Sequence, residues 1–200
     1  IRNAFIDASY QNNILTINSF IGKIIEGDVD LNGRIEFNEK QTYNIKGNFN
    51  NISLNTLLQK SQMAKWDRVK IKLSSTNLSL SGIINDKNPL SVLKGTIPIT
   101  GLLYLTTTEE EKFGATFLSL LVEKIPNISS ISKSVNFIVV NYSNIPTSLN
   151  GVLQIKDGLI FSDEILIQNN SGKSTFNGFY NFIKNEIDGT IHFFEKNDVV

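Results

Sequence analysis

Residues 176–194 read FNGFYNFIKNEIDGTIHFF, two apolar-rich runs about Lys184-Asn185, each broken by one glycine with large apolar residues two positions to either side. Side chains alternate along a strand, so Phe176, Gly178 and Tyr180 share one face of the first run, and Ile187, Gly189 and Ile191 share one face of the second. Glycine costs roughly 0.5–1 kcal/mol inside a strand, so two in neighbouring strands need a physical reason. A hairpin turning at Lys184-Asn185 sets Phe182 opposite Ile187, Tyr180 opposite Gly189, Gly178 opposite Ile191 and Phe176 opposite Phe193. Small against large would then pack one face and pin the register. The other face would carry Asn177, Asn181, Glu186, Asp188, Thr190 and His192, with Phe179 and Ile183 as apolar exceptions.

The same spacing recurs along the chain. Among the 13 glycines, Gly33, Gly47, Gly82, Gly95, Gly101, Gly151, Gly178 and Gly189 are each flanked at two positions on each side by large apolar residues. With a period of two, each removes a side chain from an apolar face rather than making a turn. A sheet thinned in this way can curl toward the thinned face, and another stretch of backbone can approach it closely. The pattern fits a concave apolar surface and equally a tightly packed sandwich or barrel with small residues at its corners. Successive glycines lie 14, 13, 6 and 11 residues apart within neighbouring pairs. That irregularity speaks against a solenoid of fixed period.

Strand-like runs fill most of the chain. VDLNGRIEF at 29–37 alternates strictly, and comparable runs occupy about 4–10, 13–21, 42–52, 68–84, 91–106, 135–141, 148–156, 159–168, 173–183 and 186–195. Asp157-Gly158 and Ser171-Gly172 read as hairpin turns. The apolar phase within 68–84 switches from odd to even numbers, which predicts a bulge near Ser75 or Thr76. Two segments depart from this pattern. Ser53 reads as the N-cap of a short helix near 54–62. Residues 108–124 place Phe113, Phe117, Leu120 and Leu121 at helical spacing, with Thr107 and Glu110, or Thr108 and Glu111, as a capping box and Pro126 as a stop. The triplet Glu109-Glu110-Glu111 is then accounted for by the helix N-terminus.

The predicted fold class is mainly β, a long curled antiparallel sheet forming a U-shaped β-groove with one or two short helices. Residues 1–200 read as a single β-rich segment of a larger protein: strands over 1–105, a helix at 108–124 and C-terminal antiparallel strands over 135–195. Large apolar side chains each contribute roughly 1.5–3 kcal/mol when buried. An apolar sheet face therefore requires a second sheet, its own curl or a hydrophobic ligand to cover it.

The 200 residues carry 19 basic and 19 acidic side chains, with no basic cluster to suit nucleic acid. No apolar run approaches the roughly 20 residues of a membrane-spanning helix, and no signal-peptide pattern opens the chain. A membrane anchor is expected outside this segment. There is no cysteine for disulfides or thiolate metal sites. The single histidine, His192, falls on the expected polar face with no second histidine to share a metal. Asp157, Asp163 and Glu164 are the nearest approach to a carboxylate pair, and Asp157 is already explained by its turn. No nucleophile elbow, phosphate loop or dinucleotide fingerprint occurs. The expectation is a protein that is not an enzyme, with no cofactor and no metal.

Two long stretches resemble one family. The segment GVLQIKDGLIFSDEILIQNNSGKSTFNGFYNFIKNEIDGTIHFF (151–194) is similar to the C-terminal region of AsmA-like proteins, and NNILTINSFIGKIIEGDVDLNGRIEFNEKQTYNIKGNFNNISLNTLLQK (12–60) resembles that family's repeated strands and following short helix. The resemblance implies a bacterial envelope protein anchored in the inner membrane, with a periplasmic β-groove similar to bridge-like lipid transfer proteins. It implies binding of phospholipid acyl chains and a part in inner-to-outer membrane lipid transport and outer-membrane assembly. The candidate lipid-contacting residues are Leu31, Gly33, Ile35, Phe37, Ile45, Gly47, Phe49, Gly178, Tyr180, Phe182, Gly189, Ile191 and Phe193. The alternative is a non-enzymatic structural or adhesive β-sandwich module of the cell envelope.

Overall fold

The computed structural model describes residues 2–56, 69–112, 136–184 and 186–194. Ten strands follow one another in sequence: β1 (Arg2–Gln11), β2 (Ile14–Ile24), β3 (Gly27–Phe37), β4 (Gln41–Ser53), β5 (Val69–Ile83), β6 (Lys94–Leu105), β7 (Thr147–Lys156), β8 (Leu159–Gln168), β9 (Lys173–Asn181) and β10 (Glu186–Phe194). Each pairs antiparallel with the next, giving one ten-stranded meander with β1 and β10 at its edges and no closure into a barrel. The expected long antiparallel sheet is therefore present.

Hairpin turns follow local side-chain chemistry. Asn12-Asn13 (φ 50° and 58°) and Asp157-Gly158 (φ 53° and 76°) take the left-handed pairs of type I′ turns. At the β8–β9 turn the Asn169 side-chain oxygen accepts from the amides of Ser171 (2.7 Å) and Gly172 (3.0 Å). The β2–β3 turn departs from these rules: Ile25 and Glu26 hold φ of 51° and 67° without a glycine or asparagine. Neither residue announces a turn in the sequence.

The register of β9 and β10 corrects the sequence reading. Gly178 faces Gly189, Tyr180 faces Ile187 and Phe176 faces Ile191, two residues away from the small-against-large pairing. The cause is Asn181, whose side-chain oxygen accepts from the amides of Ile183 (2.9 Å) and Lys184 (3.0 Å) and starts the turn early. Because the shift is even, the division of residues between the two faces survives.

β5 carries the expected bulge. Leu78 faces Gly47 while Ser75 faces Phe49, so Thr76 and Asn77 contain one extra residue, and Asn77 takes φ 60° with its amide donating to Asn48 Oδ1 (2.9 Å).

Among the described residues three helical segments, α1 (54–56), α2 (109–112) and α3 (136–142), lie in connections at the same end of the sheet. Ser53 caps α1 through the Thr56 amide, 3.3 Å from its hydroxyl. Thr108 and Glu111 form the reciprocal capping box at α2, with amide-to-side-chain distances of 2.9 and 3.2 Å. The Glu110 carboxyl is held below the usual carboxylate range by hydrogen bonds from its own backbone amide and from the Thr108 side chain. The parts of the expected helices at 57–62 and 113–124 lie outside the described residues. The expected strand at 135–141 is instead α3 over 136–142. An apolar run such as Phe137-Ile138-Val139-Val140 suits either state. Tertiary packing selects the helix, because only helical spacing turns Phe137 onto the sheet together with Ile138 and Tyr142.

All eight motif glycines fall on one face of the sheet. Cross-strand pairs link them from Gly33 opposite Ile45, through Gly47 opposite Leu31 and Leu78, to Gly178 opposite Gly189. The intermediate strands continue the same face: Gly95 opposes Leu80, Gly101 opposes Leu73 and Leu149, and Gly151 opposes Ile99 and Ile165. The sheet curls toward this face. Five strand spacings of about 4.8 Å would hold β5 and β10 about 24 Å apart if the sheet were flat. Yet Val69 of β5 and Ile191 and Phe193 of β10 line a single cleft of about 230 Å³. The accessible surface, 13150 Å², exceeds the roughly 9,400 Å² of a compact 22.4 kDa chain, in keeping with an open layer.

Candidate functional site

The concave face is built from close backbone approach. A β-carbon at Gly33, Gly95, Gly101 or Gly178 would stand 2.5–2.6 Å from a carbonyl oxygen of the neighbouring strand. At Gly47, with φ +150°, the separation would be 2.1 Å. Glycine thus lets adjacent strands tilt into one another, which turns the apolar pattern into curvature. The room above the glycines is taken by neighbours' side chains. Leu80 Cδ2 reaches over Gly95, Leu73 Cδ2 over Gly101, the Tyr43 ring over Gly82, and the Phe176 ring over both Gly178 and Gly189. The facing glycine pair is therefore covered diagonally by one aromatic ring rather than by an opposite partner.

Along the trough the floor is tighter than the walls. Leu78, Ile99, Leu149 and Ile155 on β5 to β7 are buried, and Ser75, Thr147, Ser162 and Ser174 on the same face are at most 5 % exposed. Serine and threonine here continue what the glycines do, keeping side chains short along the buried floor. Toward β1 the face opens: Ile6 and Tyr10 are 61 % and 62 % exposed. The outer face bears Asp30, Asn32, Arg34, Asn44, Lys46 and Asn48, all exposed or nearly so.

At the end that bears the helices, α3 lies against the trough and bounds the 230 Å³ cleft. Val69, Leu103, Leu105, Ile167, Ile191 and Phe193 come from the strands, and Ile138 and Tyr142 from the helix. Phe137 packs on Phe193 with ring centroids 4.6 Å apart. The Tyr142 hydroxyl shares a short hydrogen bond with Ser174 Oγ and lies 3.4 Å from the Ile167 carbonyl oxygen. Tyr142 is 3 % exposed, and burial pushes its phenol up from the usual tyrosine value, with the Ser174 bond opposing. Asn144 ties the end of this connection to β6: its amide donates to the Leu105 carbonyl (2.7 Å) and its side chain exchanges two bonds with Thr107. At the opposite end a more polar recess is lined by Thr42, Tyr43, Ser81, Lys94 and Asp157 among others.

Of the sequence-derived candidates, Leu31, Gly33, Ile35, Phe37, Ile45, Gly47 and Phe49 form one wall, and Gly178, Tyr180, Gly189, Ile191 and Phe193 belong to the other. Four strands separate the two groups along the sheet, and both lie on the same concave surface. Phe182 is a correction: it sits in the β9–β10 turn rather than on the strand face, its amide bonded to the Gly158 carbonyl (2.9 Å), though its ring meets Tyr180 at 5.4 Å. That set holds Ile191 and Phe193 of the α3 cleft but neither the floor residues nor the rest of the cleft lining. The glycine motifs at 95, 101 and 151 already marked the floor, whereas α3 carried no readable signal.

His192 lies exposed on the outer face opposite Thr175. Asp157 occupies its turn, and Asp163 and Glu164 sit exposed where β8 breaks register with β7. Among the described residues no group of three or more histidine, cysteine or carboxylate side chains is placed to hold a metal. Among them, too, no helix is long and apolar enough to cross a membrane. Comparison with protein-family models, curated proteins and solved structures finds no match to this chain.

Proposed function

We propose that the trough is a hydrocarbon-binding groove that carries phospholipid acyl chains along its concave face, without enzymatic chemistry. One observation carries this reading. A single curled sheet gathers most of its large apolar side chains on one face, while Phe5, Ile21, Leu102, Tyr104, Val152 and Phe179 stand exposed on the other, and on the trough walls Leu31, Ile35, Ile45, Phe49 and Tyr180 remain only half-buried. Acyl chains laid across these side chains would remove further apolar surface from water, at roughly 25 cal/mol per Å². Headgroups would stay at the open side of the trough.

The proposed setting is a periplasmic segment of an AsmA-like protein held at the inner membrane, contributing to lipid transport toward the outer membrane. This part rests on the sequence resemblance of 12–60 and 151–194. Native mass spectrometry of the purified protein tests the binding step. Copurified phospholipid, or uptake of a fluorescent phospholipid from vesicles, is the expected result. Absence of both would overturn the proposal in favour of a structural module of the cell envelope.

A further inference from the structure

Resting on the reading of the trough as a hydrocarbon groove, we infer that the cleft beneath α3 is a terminal pocket that receives the methyl end of an acyl chain, and that Leu103 and Ile138 set how much chain fits. The cleft, about 230 Å³, is smaller than pockets that enclose whole drug-sized ligands, which run from about 300 Å³. Its size suits the last few methylenes of a chain rather than a complete lipid.

Polar bookkeeping fixes which end of the lipid enters. The hydroxyls on the lining belong to Tyr142 and Ser174, and each already engages the other, with the Ile167 carbonyl beside them. Among the described residues no charged side chain lines the cleft. A carboxylate or phosphate placed there would lose its hydration with nothing to replace it. A saturated chain end loses nothing. The helix also gives the trough a stop: Phe137 on Phe193 and Tyr142 on Ser174 fasten α3 across β9 and β10. A chain lying in the groove and running toward this end meets Ile138 and Tyr142.

The test is calorimetric titration of the protein with saturated lysophosphatidylcholines of increasing chain length, below their micelle concentrations. Each added methylene that becomes buried should tighten binding about fourfold, until the chain end fills the cleft and the gain stops. Leu103→Trp, and separately Ile138→Trp, should make the gain stop at a shorter chain while leaving the shortest homologues unchanged. The same levelling length in wild type and both variants would overturn the inference even if lipid binds. If no homologue binds, the groove reading itself fails. Cyclohexane then tests the pocket alone: a rise in Tm for the wild type that Leu103→Trp abolishes would support it, and no rise would refute it.

Discussion

Replacing Gly101 with alanine tests whether backbone approach, rather than missing bulk, is what the motif glycines provide. A β-carbon there would lie 2.6 Å from the Lys72 carbonyl oxygen and 2.8 Å from Leu73 Cδ2. Ordinary contact begins near 3.4 Å, so the β5 backbone must withdraw by about 0.8 Å. Lys72 is held in the middle of the sheet, paired with Leu102 on one side and Ser53 on the other. Overpacking of this kind costs about 1–3 kcal/mol, and the reduced freedom of the unfolded chain returns about 0.5–1 kcal/mol. The expected net loss is about 1–2 kcal/mol, or a fall in Tm of about 3–6 °C. Gly82→Ala is the matched control. The three atoms nearest its β-carbon would all belong to the Tyr43 side chain, at 2.8–2.9 Å, beside the open recess at the far end of the trough. A ring can swing where a carbonyl cannot, so Gly82→Ala should stay within about 0.5 kcal/mol of wild type. Urea unfolding of the three proteins, with unchanged m-values, reads the difference. Equal stability of Gly101→Ala and Gly82→Ala would refute the idea that carbonyl approach shapes the sheet.

Further expectations concern particular residues. Gly47→Ala combines a carbonyl oxygen 2.1 Å from the new β-carbon with φ +150°, so a loss of about 3 kcal/mol or more in urea melts is expected. Tyr142→Phe leaves Ser174 buried without its hydroxyl partner and should cost about 1–3 kcal/mol at neutral pH. It also changes the alkaline limb. With its folded pKa above 10, Tyr142 stabilises the fold fully below pH 10, and that stability is lost as pH rises from there through the folded value. Thermal melts of Tyr142→Phe should therefore decline less steeply above pH 10 than those of wild type. Glu26→Gly removes a side chain from a left-handed position at φ 67°. Relief of about 1–2 kcal/mol, against about 0.5–1 kcal/mol of chain entropy and the loss of the exposed hydrogen bond that Glu26 Oε1 accepts from Thr56 Oγ1 (3.1 Å), should leave stability within about 0.5 kcal/mol of wild type, and a loss above about 1 kcal/mol would contradict that assignment of strain.

Much of the sheet was legible because alternation is a direct imprint of a half-buried strand. VDLNGRIEF needed no tertiary information to show its two faces, and the phase change in β5 betrayed its bulge. Register was not legible, because it depends on which side chain captures the turn. Asn181 does so at β9–β10, and nothing in the spacing of the apolar residues says that it precedes Lys184-Asn185 in that competition. The Ile25-Glu26 turn lay hidden because its residues disfavour the conformation that their neighbours impose. α3 was misread because four consecutive apolar residues have no period. The walls of the trough could be named from glycine spacing, while the small hydroxyls of its floor, Ser75, Thr147, Ser162 and Ser174, look in sequence like any exposed strand position.

The strict succession of the strands has a kinetic corollary. Every pairing in the sheet joins neighbours in sequence, so each strand can dock on the one just formed without closing a loop around the rest of the molecule. The entropic cost of closure is then met in small steps, the condition under which β-rich chains fold quickly. Two intervals break the rhythm, between β4 and β5 and between β6 and β7, and the longer holds α3. Growth of the sheet should pause there, with β6 as a temporary edge until Thr147 and Leu149 come to lie against Leu103 and Gly101.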